Sequence, residues 1–211
     1  MYLPAHFTET DHANIAALID ARPLATLVCM GPDGMLANHI PMLRDGDEGL
    51  IGHIALANDL HRLVADGAPA LAIFGGEDSY ISPNWYPGKA AHHKVVPTWN
   101  YRVVHVHGTI SFDHDEKVKR GIVGRLTTRF ERETNGDAAW KMADAPAGFM
   151  AEQLAAIVGF RIDITRIDAK SKLSQNRAPE DFDAVRQELG ARGKGDLARH
   201  MDAIMAGNQK K

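Results

Sequence analysis

Three short apolar segments near the start of the chain are separated by compact turn signals. Each segment has the length of one strand, and together they cover Leu24–Met30, Met35–Leu43 and Leu50–Ala55. The connections are Gly31-Pro32-Asp33-Gly34 and Asp45-Gly46-Asp47-Glu48-Gly49. Tight turns favour glycine, proline and aspartate, so this pattern predicts an antiparallel meander. The strands do not alternate regularly with helices, which disfavours a doubly wound parallel sheet.

The rest of the chain adds strands and helices to this meander. Val104, Val106 and Ile110 alternate with polar residues at the period of two that is typical of a strand. The predicted elements are strands over Ala68–Phe74, Tyr101–Phe112 and Gly159–Ile167, and helices over Asp11–Ala21, Asn58–Ala65, Glu116–Phe130 and the tail from Pro179 onward. Gly75-Gly76 predicts a turn. The fold class is therefore α+β and mainly β, a closed or partly open antiparallel barrel with helices around it.

The chain length and cysteine content restrict the domain organisation. With 211 residues, we expect a barrel domain over residues 1–170 and a helical C-terminal extension over residues 171–211. The single Cys29 excludes a disulfide framework within one chain and a cysteine-rich zinc module, and its apolar surroundings predict a buried thiol. The sequence shows neither a signal-peptide pattern nor an apolar run of membrane-spanning length, which predicts a cytoplasmic protein.

The net charge of −3 argues against a protein that coats nucleic acid by charge alone. From Lys170 to Lys211, nine Lys and Arg residues stand against six Asp and Glu residues, so the tail carries +3. The acids and bases are interleaved there, which predicts a solvated helical face instead of a DNA-reading stripe. The charge distribution therefore gives direct DNA binding little support.

The aromatic residues concentrate in the segment Ser79–Tyr101, which holds five of the seven Trp and Tyr residues. Its prolines predict an irregular loop. Aromatic rings with hydroxyls, an amide and lysines would suit a flat heteroaromatic ligand that carries a phosphate. The alternative is a long, self-packed loop that is buried at a subunit interface.

Several histidines and a cationic segment are further candidates for chemistry. His105 and His107 share one strand face, but no third ligand has metal-site spacing, so we expect partly exposed residues and no metal site. His39 and His53 lie inside predicted strands. Two roles are open for each of them: a contact to a ligand, or a structural side chain with its hydrogen bonds satisfied. The segment Lys170–Phe182 offers donors for a phosphate or a ring edge and also contains a helix start at Pro179. No nucleophile arrangement is present, so no catalytic residue is predicted.

Six motifs in the same order make the chain resemble the PaiB family from Met1 to about Leu189. They are MYLPAHF at Met1–Phe7, ANHIP at Ala37–Pro41, GHIALAN at Gly52–Asn58, YISPNWYPGK at Tyr80–Lys89, VPTWNY at Val96–Tyr101 and KLSQNR at Lys172–Arg177. The resemblance implies an FMN-binding split barrel related to pyridoxamine-phosphate oxidases and flavin reductases. It also implies a homodimer with FMN in clefts between subunits, with the helical extension packed on the barrel or on the partner.

The resemblance implies cofactor contacts and leaves the function open. The implied FMN contacts are Asn38, His39, Ile40, His53, Ser82, Lys89, Thr98, Trp99, Asn100, Lys172, Gln175 and Asn176. Proteins of this family are described as negative transcriptional regulators, which implies a redox- or metabolite-responsive regulator. The alternatives are an FMN-dependent oxidoreductase that acts on a small molecule and, with less support, a haem-binding barrel with an axial histidine.

Overall fold

The computed structural model describes residues 1–208 and divides the chain into two compact units. The first unit comprises Met1–Leu18, Gly75–Val104 and the described part of Asp168–Lys211. The second comprises Ile19–Phe74 and His105–Ile167. The predicted extension ends in residues 209–211, which lie outside the described residues, and its boundary and packing stay a prediction.

Six strands form one closed barrel in the order β1-β2-β3-β6-β5-β4. Their bounds are β1 Leu24–Gly31, β2 Gly34–Asp45, β3 Gly49–Ala55, β4 Ala68–Ile81, β5 Thr98–Asp113 and β6 Ile157–Lys172. Within the second unit β1, β2, β3 and β6 pair in antiparallel fashion, and β1 also pairs with β4, which closes the ring. Closure leaves no unpaired sheet edge among these strands.

Alternating burial explains why these segments are strands. Ala25, Leu27 and Cys29 of β1 are buried, whereas the residues between them are less buried. The β1–β2 hairpin closes at Gly34, whose φ of +127° strongly favours glycine. The buried Cys29 agrees with the predicted thiol, and burial raises its pKa to about 11. The thiol therefore stays protonated at neutral pH.

Seven helices accompany the barrel in the part of the chain that the structure describes. Their bounds are α1 His12–Ala21, α2 Leu60–Leu63, α3 Lys89–His92, α4 Glu116–Asn135, α5 Ala147–Ala155, α6 Pro179–Ala191 and α7 Gly195–Asn208. Asp115 caps α4 by accepting hydrogen bonds from the backbone amides of Lys117 and Val118. Ile122 and Leu126 of α4 pack on β2 and β3, so this helix covers one face of the second unit's sheet.

The first unit has its own apolar core. It is formed by α6, α7 and the end of β4 with the chain that follows it, and its members are Ile81, Tyr86, Leu173, Phe182, Val185, Leu189, Leu197, Ala198 and Met201. Because Ile81 and Tyr86 belong to this core, it anchors the aromatic segment Ser79–Tyr101, which contains several of the predicted ligand contacts.

The predicted antiparallel barrel with helices is confirmed, but several strands run further than predicted. Gly75-Gly76 lies inside β4, so the predicted turn is wrong. A Cβ at Gly76 would come within 3.0 Å of Arg102 Cβ, so glycine allows a close approach of the backbones there. The segment Ser79–Tyr101 is not one irregular loop, because it begins in β4, ends in β5 and contains α3. Lys170 and Lys172 likewise belong to β6.

No helix in the described part of the chain combines the length and the apolar character needed to cross a membrane.

Candidate functional site

The aromatic segment of the first unit contains a packed part and an exposed part. Tyr86 is buried in the core, and the guanidinium of Arg177 lies 4.9 Å from the centre of its ring. Tyr80 and Trp99 remain exposed and meet edge to face, with ring centres 6.2 Å apart. The segment is thus neither wholly self-packed nor wholly open, and its exposed rings lie beside the start of β5.

A lysine–hydroxyl pair lies where β5 begins and β6 ends. Lys172 Nζ donates a hydrogen bond to Thr98 Oγ1 over 2.5 Å. Burial lowers the pKa of Lys172, and the positive charges of Lys170 and Arg177 lower it further, against an opposing effect of Tyr101. Cations that are brought together in this way favour the arrival of an anion, because an anion reduces their mutual repulsion.

The neighbouring Lys170 is surrounded by aromatic rings. Its Nζ donates to the backbone oxygen of Tyr2 over 3.1 Å and lies 5.4–5.9 Å from the ring centres of Tyr2, Phe7 and Tyr101. Within residues 1–208, neither Lys170 nor Lys172 forms an ion pair with a carboxylate. Cation–π contacts stabilise the charge of Lys170 without neutralising it.

A buried amide lies next to this pair. Asn100 has no exposed surface, and its Oδ1 accepts a hydrogen bond from Ser174 Oγ over 3.0 Å. Its Nδ2 finds no acceptor among the described residues. Ser174 has a φ of +64°, a left-handed conformation that a non-glycine residue adopts at an energetic cost. A buried donor without an acceptor and a strained backbone are typical of sites that accept a ligand.

Gln175 and Asn176 differ in their surroundings. Gln175 donates to the backbone oxygen of Ser171 over 2.6 Å and accepts from the backbone amide of Leu173 over 2.7 Å. Its side chain therefore stabilises the turn after β6. Asn176 is exposed.

Ser82 and Lys89 belong to the turn that follows β4. Ser82 Oγ accepts from the backbone amide of Asn84 over 3.2 Å, and Lys89 Nζ donates to Asn84 Oδ1 over 2.5 Å. The backbone amide of Gly88 donates to Asp181 Oδ1 over 2.9 Å. Asp181 thereby ties this turn to α6 within the first unit.

The predicted contacts on β2 belong to the second unit. His39 is exposed, and its Nδ1 lies 3.1 Å from Thr26 Oγ1. Asn38 Oδ1 accepts from Asn58 Nδ2 over 2.8 Å, and Asn58 Oδ1 accepts from the backbone amide of Leu60 over 3.0 Å. Ile40 is buried. The β2 residues therefore present one exposed imidazole, an amide pair and a core side chain.

His53 lies opposite Gly159 of β6 in the strand register. A Cβ at Gly159 would approach Ile122 Cδ1 to 3.0 Å, so this face of the sheet is the one that α4 covers. Burial lowers the pKa of His53, and its Nδ1 is buried without a partner among the described residues. The imidazole is therefore neutral at pH 7 and keeps one unused nitrogen.

His105 and His107 lie on one strand face, with ring centres 6.4 Å apart. His107 Nε2 accepts from Arg166 Nη2 over 3.0 Å, so a guanidinium already uses this nitrogen. Across the described residues, no group of three or more His, Cys, Asp or Glu side chains could hold a metal ion.

The first unit's cluster fits a phosphorylated flavin. Lys172 and Thr98 offer a charged donor and a hydroxyl to a phosphate or a ring carbonyl. The unused Nδ2 of Asn100 requires an acceptor, which ring oxygens and nitrogens provide. The segment Lys170–Phe182 already offered Ser174 as a donor, but the sequence assigned no contact to Tyr2 or Phe7, because contacts between residues so far apart in the chain leave no local pattern.

Comparison with known proteins places the chain among flavin-related sequences. Residues 1–166 match the family model described as "Putative FMN-binding domain". A Bacillus subtilis protein named "Protease synthase and sporulation protein PAI 2" is 28% identical over 214 residues, which cover 100% of this chain and 99% of that protein. An uncharacterized Saccharomyces cerevisiae protein is 34% identical over 155 residues, covering 63% of this chain and 90% of its own.

Two solved structures share the fold. The FAD and heme binding protein from Mycobacterium smegmatis aligns with a TM-score of 0.58 and 23% identity, covering 84% of this chain and 79% of that chain. The flavocytochrome Anf3 from Azotobacter vinelandii aligns with a TM-score of 0.57 and 18% identity, covering 84% of this chain and 75% of that chain. At these identities the similarity establishes the fold alone.

Proposed function

Because the chain belongs to the PaiB family of FMN-binding split-barrel proteins and its cofactor is FMN, we propose that it is a negative transcriptional regulator. Its output would respond to the redox state of FMN or to a metabolite. The observation that carries this proposal is the relationship to PAI 2, which extends over all of this chain and 99% of that protein. Bound FMN supplies the electron chemistry, whereas the protein holds and orients the flavin.

The residues proposed to hold FMN in the first unit form one group around Lys172. Lys172 and Thr98 would bind the phosphate, because a half-buried ammonium without a carboxylate partner gains most from an anion. Asn100 would donate from its unused Nδ2, and Ser174 fixes the orientation of that amide. Trp99 would shield a ring edge. Ser82, Lys89, Gln175 and Asn176 are proposed as further contacts of this unit.

The second unit contributes its own proposed contacts. His53 keeps a buried nitrogen without a partner, and a flavin carbonyl or ring N–H would satisfy one of its tautomers. Asn38 and His39 would donate or accept through side chains that the Asn58 and Thr26 contacts already orient. Ile40 would act through packing.

We propose that the protein works as a homodimer. In the second unit, Met30 and Met35 face each other in the β1–β2 register and are 61% and 77% exposed. In the first unit, Tyr80 and Trp99 form an exposed aromatic pair. Large exposed apolar side chains of this kind are enriched at protein interfaces, and symmetric dimers are the commonest assemblies.

A cytoplasmic location and a contact with DNA complete the proposal. A cytoplasmic location agrees with the buried thiol of Cys29. The net charge of −3 gives direct DNA binding little electrostatic help, so the promoter experiment below tests it separately.

Cofactor extraction followed by mass identification is the first experiment. FMN released from purified protein is the expected result, and a haem Soret band without flavin would contradict it. A second experiment compares promoter retention by the oxidised and reduced protein at several salt concentrations. Retention that depends on the redox state supports the regulator, whereas steady NAD(P)H consumption without any effect on a promoter would favour the oxidoreductase.

A further inference from the structure

The chain reverses direction where α4 ends and then runs back beside that helix. Gly136, with a φ of +55°, begins the reversal, which we define as residues 136–144. The backbone amide of Trp140 donates to Glu131 Oε2 over 3.0 Å, and Asn135 Nδ2 donates to the same oxygen over 2.7 Å. The bond from Trp140 fixes the reversal against the last turns of α4, and the bond from Asn135, which lies within α4, holds the Glu131 carboxylate in place.

Two cavities of the second unit lie along α4 and share some of its residues as their lining. The smaller, of about 440 Å³, lies between α4 and the reversal, and the larger, of about 830 Å³, lies along α4 towards β2. Gly124, Thr128 and Arg132 line both. A Cβ at Gly124 would meet only Met142 Sδ, at 3.7 Å, so the absence of a side chain at Gly124 leaves space between α4 and the reversal.

Most arginines around these cavities are already paired. Arg44 and Arg129 bind Asp20, Arg125 binds Asp45, and Arg120 binds Glu116; these pairs account for four of the five arginines that line the larger cavity. Such pairs fix side chains but leave little net charge for a ligand.

Arg132 and Lys141 differ from these four arginines in their acidic neighbours, which are used by other groups. Glu133, the neighbour of Arg132, accepts from Arg129, and Glu131 accepts from Trp140 and Asn135. The hydrogen bond from the Trp140 amide is the main reason that the pKa of Glu131 is lowered. No carboxylate of residues 1–208 forms an ion pair with Arg132 or Lys141. Asp137 is the one acidic side chain that lines the smaller cavity.

We propose that the cavity between α4 and the reversal binds a small nucleotide, with the phosphates on Arg132 and Lys141 and the base on Trp140. Trp140 lines this cavity and is 42% exposed, and an indole that is only partly covered offers a surface on which a base can stack. Guanidinium and ammonium groups without carboxylate partners are the standard donors to phosphate. The cavity volume matches a small ligand, and two free cations are too few for a nucleic-acid backbone.

Calorimetric titration of the FMN-loaded protein with ADP tests this site. We expect saturable binding that weakens by about tenfold or more in Arg132→Gln and in Lys141→Gln, since each removes a charge-assisted hydrogen bond. Trp140→Phe keeps a stacking surface and should bind, whereas Trp140→Ala should bind poorly. Lys194→Gln removes an exposed lysine from the α6–α7 connection and serves as the matched control. FMN content stays unchanged in every variant, because the site is independent of the proposed cofactor contacts.

Four results would overturn the proposal. The first is a wild-type protein that does not bind ADP at millimolar concentration. The second is binding that survives both cation replacements. The third is a preference for a single-stranded oligonucleotide over ADP, since this would point to a polyanion surface. The fourth is pyrophosphate that binds as tightly as ADP, since this would contradict stacking of the base on Trp140. Inorganic pyrophosphate and adenosine, titrated separately, should each bind more weakly than ADP.

Discussion

Two clusters of basic side chains, one in each unit, are held in opposite ways. In the first unit, Lys170 and Lys172 contact aromatic rings, a backbone oxygen and a hydroxyl, and neither pairs with a carboxylate in the described chain. In the second unit, Arg44 and Arg129 share the carboxylate of Asp20. A cation paired with a carboxylate stabilises the fold, whereas a cation surrounded by neutral groups keeps its charge for a ligand.

This contrast also explains the pKa directions. Burial lowers the pKa of Lys172, and its positive neighbours lower it further. Burial alone would raise the pKa of Asp20, but hydrogen bonds and charge from Arg44 and Arg129 outweigh it and hold that pKa below its usual value. The positive charges of the lysine cluster therefore repel one another, whereas the positive charges of Arg44 and Arg129 are offset by the carboxylate of Asp20.

Replacement of Lys172 should have the largest effect. Lys172→Gln removes the charge proposed for the phosphate, so FMN affinity should fall by about 10- to 100-fold while riboflavin affinity changes little. Fluorescence titration with both flavins measures the difference. Lys194→Gln, at an exposed position, should bind FMN like the wild type. An equal loss for FMN and riboflavin would show that Lys172 contacts the ring system or the fold.

Removal of the shared carboxylate should reduce stability without affecting FMN. Asp20→Asn leaves Arg44 and Arg129 without their common partner and should cost about 2 kcal/mol in urea denaturation. Because the pKa of Asp20 is lowered in the folded state, its contribution is complete above the unfolded value of 3.8 and is lost as the pH falls through the lowered pKa. Asp47→Asn, which removes a fully exposed partner of Arg44, should leave stability nearly unchanged.

A histidine of the first unit should make stability depend on pH. Arg102 Nη1 donates to His200 Nε2 over 2.7 Å, and burial, with the positive charge of Arg102, lowers the pKa of His200. The folded state therefore prefers the neutral ring. Stability should be complete above pH 6.5 and decline as the pH falls towards the lowered pKa. Melting temperatures from pH 7 to pH 5 measure this, and His200→Gln should flatten the decline. An unchanged slope would exclude His200 as its source.

The smallest effect is expected for an exposed ion pair. Arg120 and Glu116 are one helical turn apart on α4, at 2.8 Å, and both are largely exposed. Arg120→Gln should change the free energy of unfolding by less than about 0.5 kcal/mol in urea denaturation. A larger loss would mean that exposed ion pairs also hold α4 in place, which would weaken the contrast between the lysine cluster and the arginine cluster.

Local patterns predicted most of the fold. The period of two in β5, the turn residues of the β1–β2 hairpin and the helical spacing of α4 each depend on neighbouring residues, so they are visible in the sequence. The turn predicted at Gly75-Gly76 was wrong because glycine also occurs where two backbones approach closely, as Gly76 and Arg102 do. A local pattern does not distinguish these two uses of glycine.

The sequence by itself determined the family, the cofactor class and the barrel, because motif order and hydrophobic period are properties of the chain. Only the tertiary structure decided which charges are already paired. Lys172 meets Thr98 across 74 positions, and Arg129 meets Asp20 across 109. Whether a lysine or an arginine keeps its charge for a ligand depends on such distant partners, and folding alone brings them together.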